Sequence, residues 1–154
     1  MVLKIDSTIY GYANNLRGFL DINEKYPLGQ KVIYKPITFI FDPFSYLICE
    51  KGTEEADSVI EPIIFPSVTR LEAQKAYIKS LDNKKLNRIF DGLDDKEYWY
   101  TFWDYFDDDG DKLFSFEKFE RLYTLKKITD WCDENNIPYY IDKKDDFIRW
   151  ILEA

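Results

Sequence analysis

The side chains whose spacing most suggests chemistry at a point are carboxylates. Asp107, Asp109 and Asp111 alternate along the chain, and Glu117 follows. Oxygen ligands so placed suit a hard divalent cation. No histidine is present. That removes the commonest general base, the usual partner of a nucleophilic Ser or Cys, and the commonest metal ligand. Gly-rich phosphate loops, a nucleophile elbow and an HExxH helix are also missing. Catalysis would therefore rest on carboxylates, Lys or Tyr, and a carboxylate-dependent metal hydrolase is the enzymatic reading. Against it, residues 91–120 offer only Lys96, Lys112 and Lys118 to meet a phosphate. The two cysteines, Cys49 and Cys132, form no CxxC and are expected as free thiols in a reducing cytoplasm.

Residues 107–118 resemble the calcium loop of an EF-hand. Asp107, Asp109 and Asp111 fall at its first, third and fifth positions, and Phe114 at its apolar eighth. Trp103 and Phe106 precede the loop, and Phe119, Leu122 and Tyr123 follow it, as helix-packing residues should. Lys112 stands where the sharp turn needs Gly, and Lys118 where a bidentate Glu belongs. Glu117 lies one position off. The resemblance implies a degenerate loop whose weak calcium ligands would be Asp107, Asp109, Asp111 and Glu117. The competing expectation is a solvated acidic turn between two helices.

Charge is distributed unevenly. Residues 91–120 hold eleven of the 29 acidic residues and three of the 21 basic ones. That segment thus carries the whole net charge of −8, and the remainder balances at 18 of each sign. Such a field repels nucleic-acid phosphates and attracts cations or basic protein surfaces. Within it, seven of the nine residues from Tyr98 to Phe106 are aromatic. One helical face spans about 100° and cannot bury them all. The period places Trp99, Phe102, Trp103 and Phe106 inside, leaving Tyr98, Tyr100 and Tyr105 partly or wholly outside; the competing expectation is a helix sandwiched between two layers, with aromatics buried on both sides. The expected function is a non-enzymatic acidic binding module that captures a basic protein surface, of inhibitor, immunity or regulator type. Its partner could be a nucleic-acid-binding enzyme. The expected contact residues are Tyr98, Tyr100, Asp104, Tyr105, Asp107, Asp108, Asp109 and Asp111. No cofactor, membrane or direct nucleic-acid partner is expected.

The elements that must position these residues follow from periodicity. At 154 residues, 45% of them hydrophobic, the chain reads as one domain with a proper core. No apolar run approaches the ~20 residues of a membrane helix, and no secretory signal is recognisable, so the expected compartment is the cytoplasm. Residues 7–23 read as a helix capped by Asp6 or Ser7. Residues 31–34, 37–42 and 46–50 read as strands, with Asp42-Pro43-Phe44-Ser45 turning a hairpin between the last two. Residues 51–58 read as a loop and 59–65 as a further short strand. Thr69 to Glu72 fits a capping box opening a helix to about Leu81. Asp82, residues 94–97, Ser115 and Asp145 cap four more, with a strand at 137–141. The fold class is α+β, with a small antiparallel β unit at about 30–65 and a helical part at about 67–136.

Phe116-Glu117-Lys118-Phe119 is followed by Ile128 through Ile137, with Trp131-Cys132-Asp133-Glu134-Asn135-Asn136-Ile137 at the close of a helix. On these residues, and over about residues 60–141, the chain resembles a bacterial family of unknown function, Uncharacterised Protein Family 0158. Phe65-Pro66-Ser67, Leu81-Asp82-Asn83 and Leu86 follow the same order. Asn136 stands where the family has Gly, and the run from Asp107 to Asp111 is more acidic than the family pattern. The resemblance implies a bacterial, cytoplasmic protein and carries over no catalytic residue.

Overall fold

The computed structural model describes residues 1–15, 20–21, 33–34, 37–106 and 109–153. Strand β1 (Leu3–Ile5) opens the chain, and Asp6 then caps helix α1 (Ser7–Ala13), its carboxylate accepting the Ile9 N–H at 3.0 Å. The helix expected to reach residue 23 ends at Ala13. There the backbone straightens so that β2 (Asn14–Asn15) pairs in parallel with β8 (Val68–Thr69), a tertiary contact that overrides local period. The rest of that expected helix falls at β3 (Leu20–Asp21) or outside the described residues. β3 pairs with β4 (Ile33–Tyr34), which is the described end of the strand expected at 31–34.

The hairpin stands as expected. β5 (Phe39–Phe41) runs antiparallel to β6 (Ile48–Glu50), with Ile40 opposite Cys49. Asp42 holds the turn by accepting the Phe44 N–H and the Ser45 hydroxyl, both at 2.9 Å. The expected loop at 51–58 contains a short helix, α2 (Glu54–Asp57), capped by Thr53. β7 (Ile63–Ile64) then joins the free side of β5, giving the order β6-β5-β7.

Thr69 caps α3 (Arg70–Ser80) as its sequence signature requires, its hydroxyl accepting the Glu72 N–H. Asn83, not Asp82, caps α4 (Lys84–Phe90). Gly92 supplies a φ of +72° before α5 (Asp95–Phe106), where a Cβ would be strained. The long helix α6 (Gly110–Glu134) starts six residues earlier than a cap at Ser115 would have it, because Asp109 caps it. It closes with Asn136 at φ +56° and the Ile137 N–H bonded back to the Cys132 carbonyl. β9 (Tyr139–Ile141) then pairs with β1, and α7 (Asp146–Glu153) packs against α6. The β1–β9 pair is parallel, which the expectation of a purely antiparallel β unit did not include.

Two apolar cores result among the described residues. The first joins β1, α1, Phe41, Phe65 and α7 to Leu125, Ile128, Trp131 and Cys132 of α6. The second joins α3, α4 and α5 to Phe116 of the same helix. Trp131 fastens the sheet to α6, donating its indole N–H to the Ile64 carbonyl at 2.9 Å and meeting Phe41 and Phe65 edge-on.

Asp145 ties α1 and α7 together. It accepts the Ile148 N–H as cap of α7, and also the N–H and hydroxyl of Ser7 across the chain. These donors, the Ile148 N–H foremost, hold its carboxyl below the ordinary 3.8. A depressed carboxylate stabilises the fold above its ordinary pKa and loses that contribution as pH falls through the folded value. Asp145→Ala is therefore expected to lower the denaturation midpoint at neutral pH. Its deficit relative to the native chain should shrink below about pH 4, read from urea titrations at both pH values.

Candidate functional site

The acidic, aromatic segment is positioned by a polar seam between α3 and α6. Glu120 is only 2% exposed, and Arg70 reaches it with Nε at 3.2 Å and Nη2 at 3.3 Å. Burial pushes the Glu120 carboxyl up, and the Arg70 charge and hydrogen bonds offset only part of that push. The guanidinium also lies 5.9 Å from the Trp103 ring centroid, so the ion pair touches α5 as well. One turn on from Glu120, the buried Thr124 hydroxyl donates to the Glu120 carbonyl at 2.9 Å. A second tie between α3 and α6 runs from the Tyr123 hydroxyl to Glu72 at 2.8 Å, with Lys127 at 3.4 Å from the same carboxylate oxygen.

On α5 the buried stripe is Tyr98, Phe102 and Phe106, spaced one turn apart. This corrects the expected phase. Tyr98 faces the core against Phe90, at 4.6 Å between rings, and burial pushes its phenol up to about 12. Trp99 and Trp103, expected inside, are only half-buried and meet edge-on at 5.6 Å. The reason is that α4 and α3 cover α5 from the side of Tyr98, so the stripe is shifted by one residue. Tyr100 is half-buried, while Asp104 and Tyr105 are exposed. Asp94 opens the helix by accepting the Glu97 N–H at 2.8 Å, which lowers its carboxyl, and its proximity raises that of Glu97.

Beyond α5, Asp107 and Asp108 lie outside the described residues. Asp109 is half-buried, and its Oδ1 accepts the N–H groups of Asp111 and Lys112 at 3.1 and 3.2 Å. Lys112 leans back, 3.8 Å from Asp109 Oδ2 and 5.4 Å from the Tyr105 ring centroid. From Gly110 the chain is helical, where a calcium loop would still be looping round its ion. Six residues apart on a continuous helix, Asp111 and Glu117 project about 120° from each other and do not converge. Among the described residues no group of three or more Cys, Asp or Glu side chains is placed to hold a metal ion. Lys112 thus links Tyr105 at the end of α5 to Asp109 at the start of α6, with Asp104 and Asp111 next to them in the chain, while Tyr98 is buried in the second core and Glu117 lies further along α6.

Sequence reasoning did not single out Phe114 as a contact residue. Matched there to the apolar eighth position of a calcium loop, it is 59% exposed on the first turns of α6. The signal was available, since two residues on, Phe116 is fully buried. Neighbours two apart on a helix point about 200° apart and cannot share one core. Neither thiol is poised for chemistry. Both are free, Cys132 is buried with its pKa pushed to about 11 by burial, and burial also raises that of Cys49.

Arg70→Met strips the buried Glu120 of its partner and is expected to cost about 3 kcal/mol, with Arg70→Met/Glu120→Leu recovering much of it. The single variant should carry a pH signature. A carboxyl raised above its unfolded value of 4.5 destabilises the fold increasingly as pH climbs through the folded value. The Arg70→Met deficit should thus shrink on acidification towards pH 5, measured by chemical denaturation at several pH values. In comparisons with family models, curated proteins and solved structures, nothing matches this chain.

Proposed function

We propose that the α5–α6 junction is a contact surface for a basic protein partner, which makes the chain a binding module. The observation that carries this reading is the company the exposed aromatics keep. Tyr105 is 37% exposed and follows Asp104 at the end of α5, and Phe114 is 59% exposed on the first turns of α6, after Asp109 and Asp111 in the chain. Interfaces favour that combination of an aromatic anchor with a charged surround. The carboxylates would steer a basic surface inward, mostly by raising the association rate, and salt would screen them over a Debye length of about 8 Å. The aromatics would then oppose dissociation by losing water. Asp107 and Asp108, outside the described residues, and Tyr100 join this reading from the sequence alone. The cytoplasmic setting expected above belongs to the same reading.

The test compares the native chain with Asp104→Asn/Asp109→Asn/Asp111→Asn. Asparagine is as good a cap as aspartate, so the change at Asp109 keeps the start of α6 intact. Tagged chains are incubated in nuclease-treated lysate at low salt and eluted at high salt. The native chain is expected to release a basic protein, and the triple variant to associate with that protein about tenfold more slowly. Equal rates for the two chains would sink the reading. Phe114→Ala should leave the association rate alone and speed dissociation.

A further inference from the structure

The two outer strands of the β6-β5-β7 sheet are finished differently. On β7 the Phe65 N–H bonds to the Phe39 carbonyl, so the Ile64 backbone turns outward, and the Trp131 indole takes its carbonyl. On β6 the ladder is set by the Asp42 N–H on the Leu47 carbonyl and the Lys51 N–H on the Thr38 carbonyl. Alternate residues of an antiparallel strand face the same neighbour. Cys49 therefore turns its N–H and carbonyl to β5, and Ile48 and Glu50 turn theirs away. Thr53 donates both its N–H and its hydroxyl to the Glu50 carbonyl, at 3.3 and 2.7 Å. The Ile48 N–H, the Ile48 carbonyl and the Glu50 N–H have no partner among the described residues.

A groove of about 610 Å³ follows this edge. Tyr12 and Phe39, in edge contact at 4.9 Å, line it on the face that carries Ile48 and Glu50. Cys49 and Glu55 line it on the other face, where burial and then the Glu55 and Asp42 charges push the Cys49 thiol up. A single groove bounded by both faces of a sheet passes round its edge. Its charged lining residues are Asp42, Glu50 and Glu55, with no lysine or arginine among them. Asp42 accepts the Phe44 N–H and the Ser45 hydroxyl but keeps its charge. Lys51 is exposed, lies outside the lining and is the one base in residues 37–69, against six acids.

We infer that the open edge of β6 takes up an extended basic peptide as a further strand, antiparallel to β6 as β5 is. The guest residue opposite Ile48 exchanges both backbone bonds with it, and the one opposite Glu50 accepts the Glu50 N–H. Side chains alternate, so the residue opposite Ile48 lies on the Tyr12 face, where an apolar group fits. Its two neighbours point to the other face, towards Glu55 and Asp42, where lysine or arginine fits. Charge selects this occupant over a second copy of the chain, whose own β6 edge would bring Asp42, Glu50 and Glu55 against their like. The edge shares no residue with the α5–α6 junction and does not depend on that reading.

The probe is a capped peptide alternating lysine with valine, about six residues long, the usual length of a strand. Amide exchange is followed residue by residue by NMR on the purified full chain at about 0.15 M salt. At a peptide concentration about ten times its Kd, exchange at the Ile48 and Glu50 amides is expected to slow about tenfold. Glu50→Lys/Glu55→Lys, at two exposed positions, should weaken binding about tenfold. The same peptide N-methylated at its valines keeps every charge but loses the donor that meets the Ile48 carbonyl, and it should slow neither amide. Exchange at Ile48 and Glu50 unchanged up to about millimolar peptide, or slowed equally by the N-methylated peptide, would overturn the proposal. So would protection confined to the start of α6, an outcome that would place the peptide at the α5–α6 junction instead.

Discussion

Phe116 and Leu125 stand nine residues apart on α6, about two and a half turns, and both are buried. Their side chains therefore point to opposite sides of one helix, each into a different core. This is the constraint on which the rest of the structure depends. The helix must change its buried face midway without interruption, and the change falls at Glu120 and Thr124. Polar groups there are physically apt, since neither core extends across the crossover. The cost is a carboxylate almost without solvent, and Arg70 offsets it while touching Trp103. The same arrangement leaves the opposite face of each half open. On the first half the open face carries Phe114, and on the second it carries Lys126 and Lys127.

Much of this was legible wherever a local rule decides the outcome. Asp6, Thr69 and Asp145 act as caps because a side-chain oxygen next to an orphan N–H has few better uses. The Asp42 turn and its hairpin follow from Pro43 and from side-chain bonds within four residues. Asn136 closes α6 in the left-handed region, which Asn tolerates better than most residues. The long helix and the α+β class were plain from period alone.

What stayed hidden depends on partners distant in sequence. Nothing in Leu3-Lys4-Ile5 announces a strand until Tyr139–Ile141 lies beside it. Asn14 leaves the helical path only because Val68 is there to receive it. The aromatic run of α5 was the hardest case, since seven rings in nine positions satisfy several phases almost equally. The covering helices chose Tyr98 over Trp99, and that one-residue shift moved an expected contact residue into the core. In the acidic loop, the local structure is set by capping and not by the alternation of carboxylates. Asp109 used as a cap begins a helix, and a helix disperses the oxygens that alternation would have gathered. The surface that remains is smaller than the expected one and gains an aromatic that was matched to the apolar position of a calcium loop.

The pairing of β1 with β9 and the Ser7–Asp145 contact have a kinetic side. Leu3 meets Tyr139 only after nearly the whole chain has been brought round. Closing a loop that long costs entropy that grows slowly with length but must be met before the contact returns anything. The helices of the second core need no such closure, because α3, α4, α5 and α6 follow one another in sequence. Folding is thus ordered by topology. The helical half assembles from near neighbours, and the strand at the start of the chain docks last, onto a platform already built. Pulse-labelled hydrogen exchange would read that order directly, with the amides of Leu3 to Ile5 the last to gain protection.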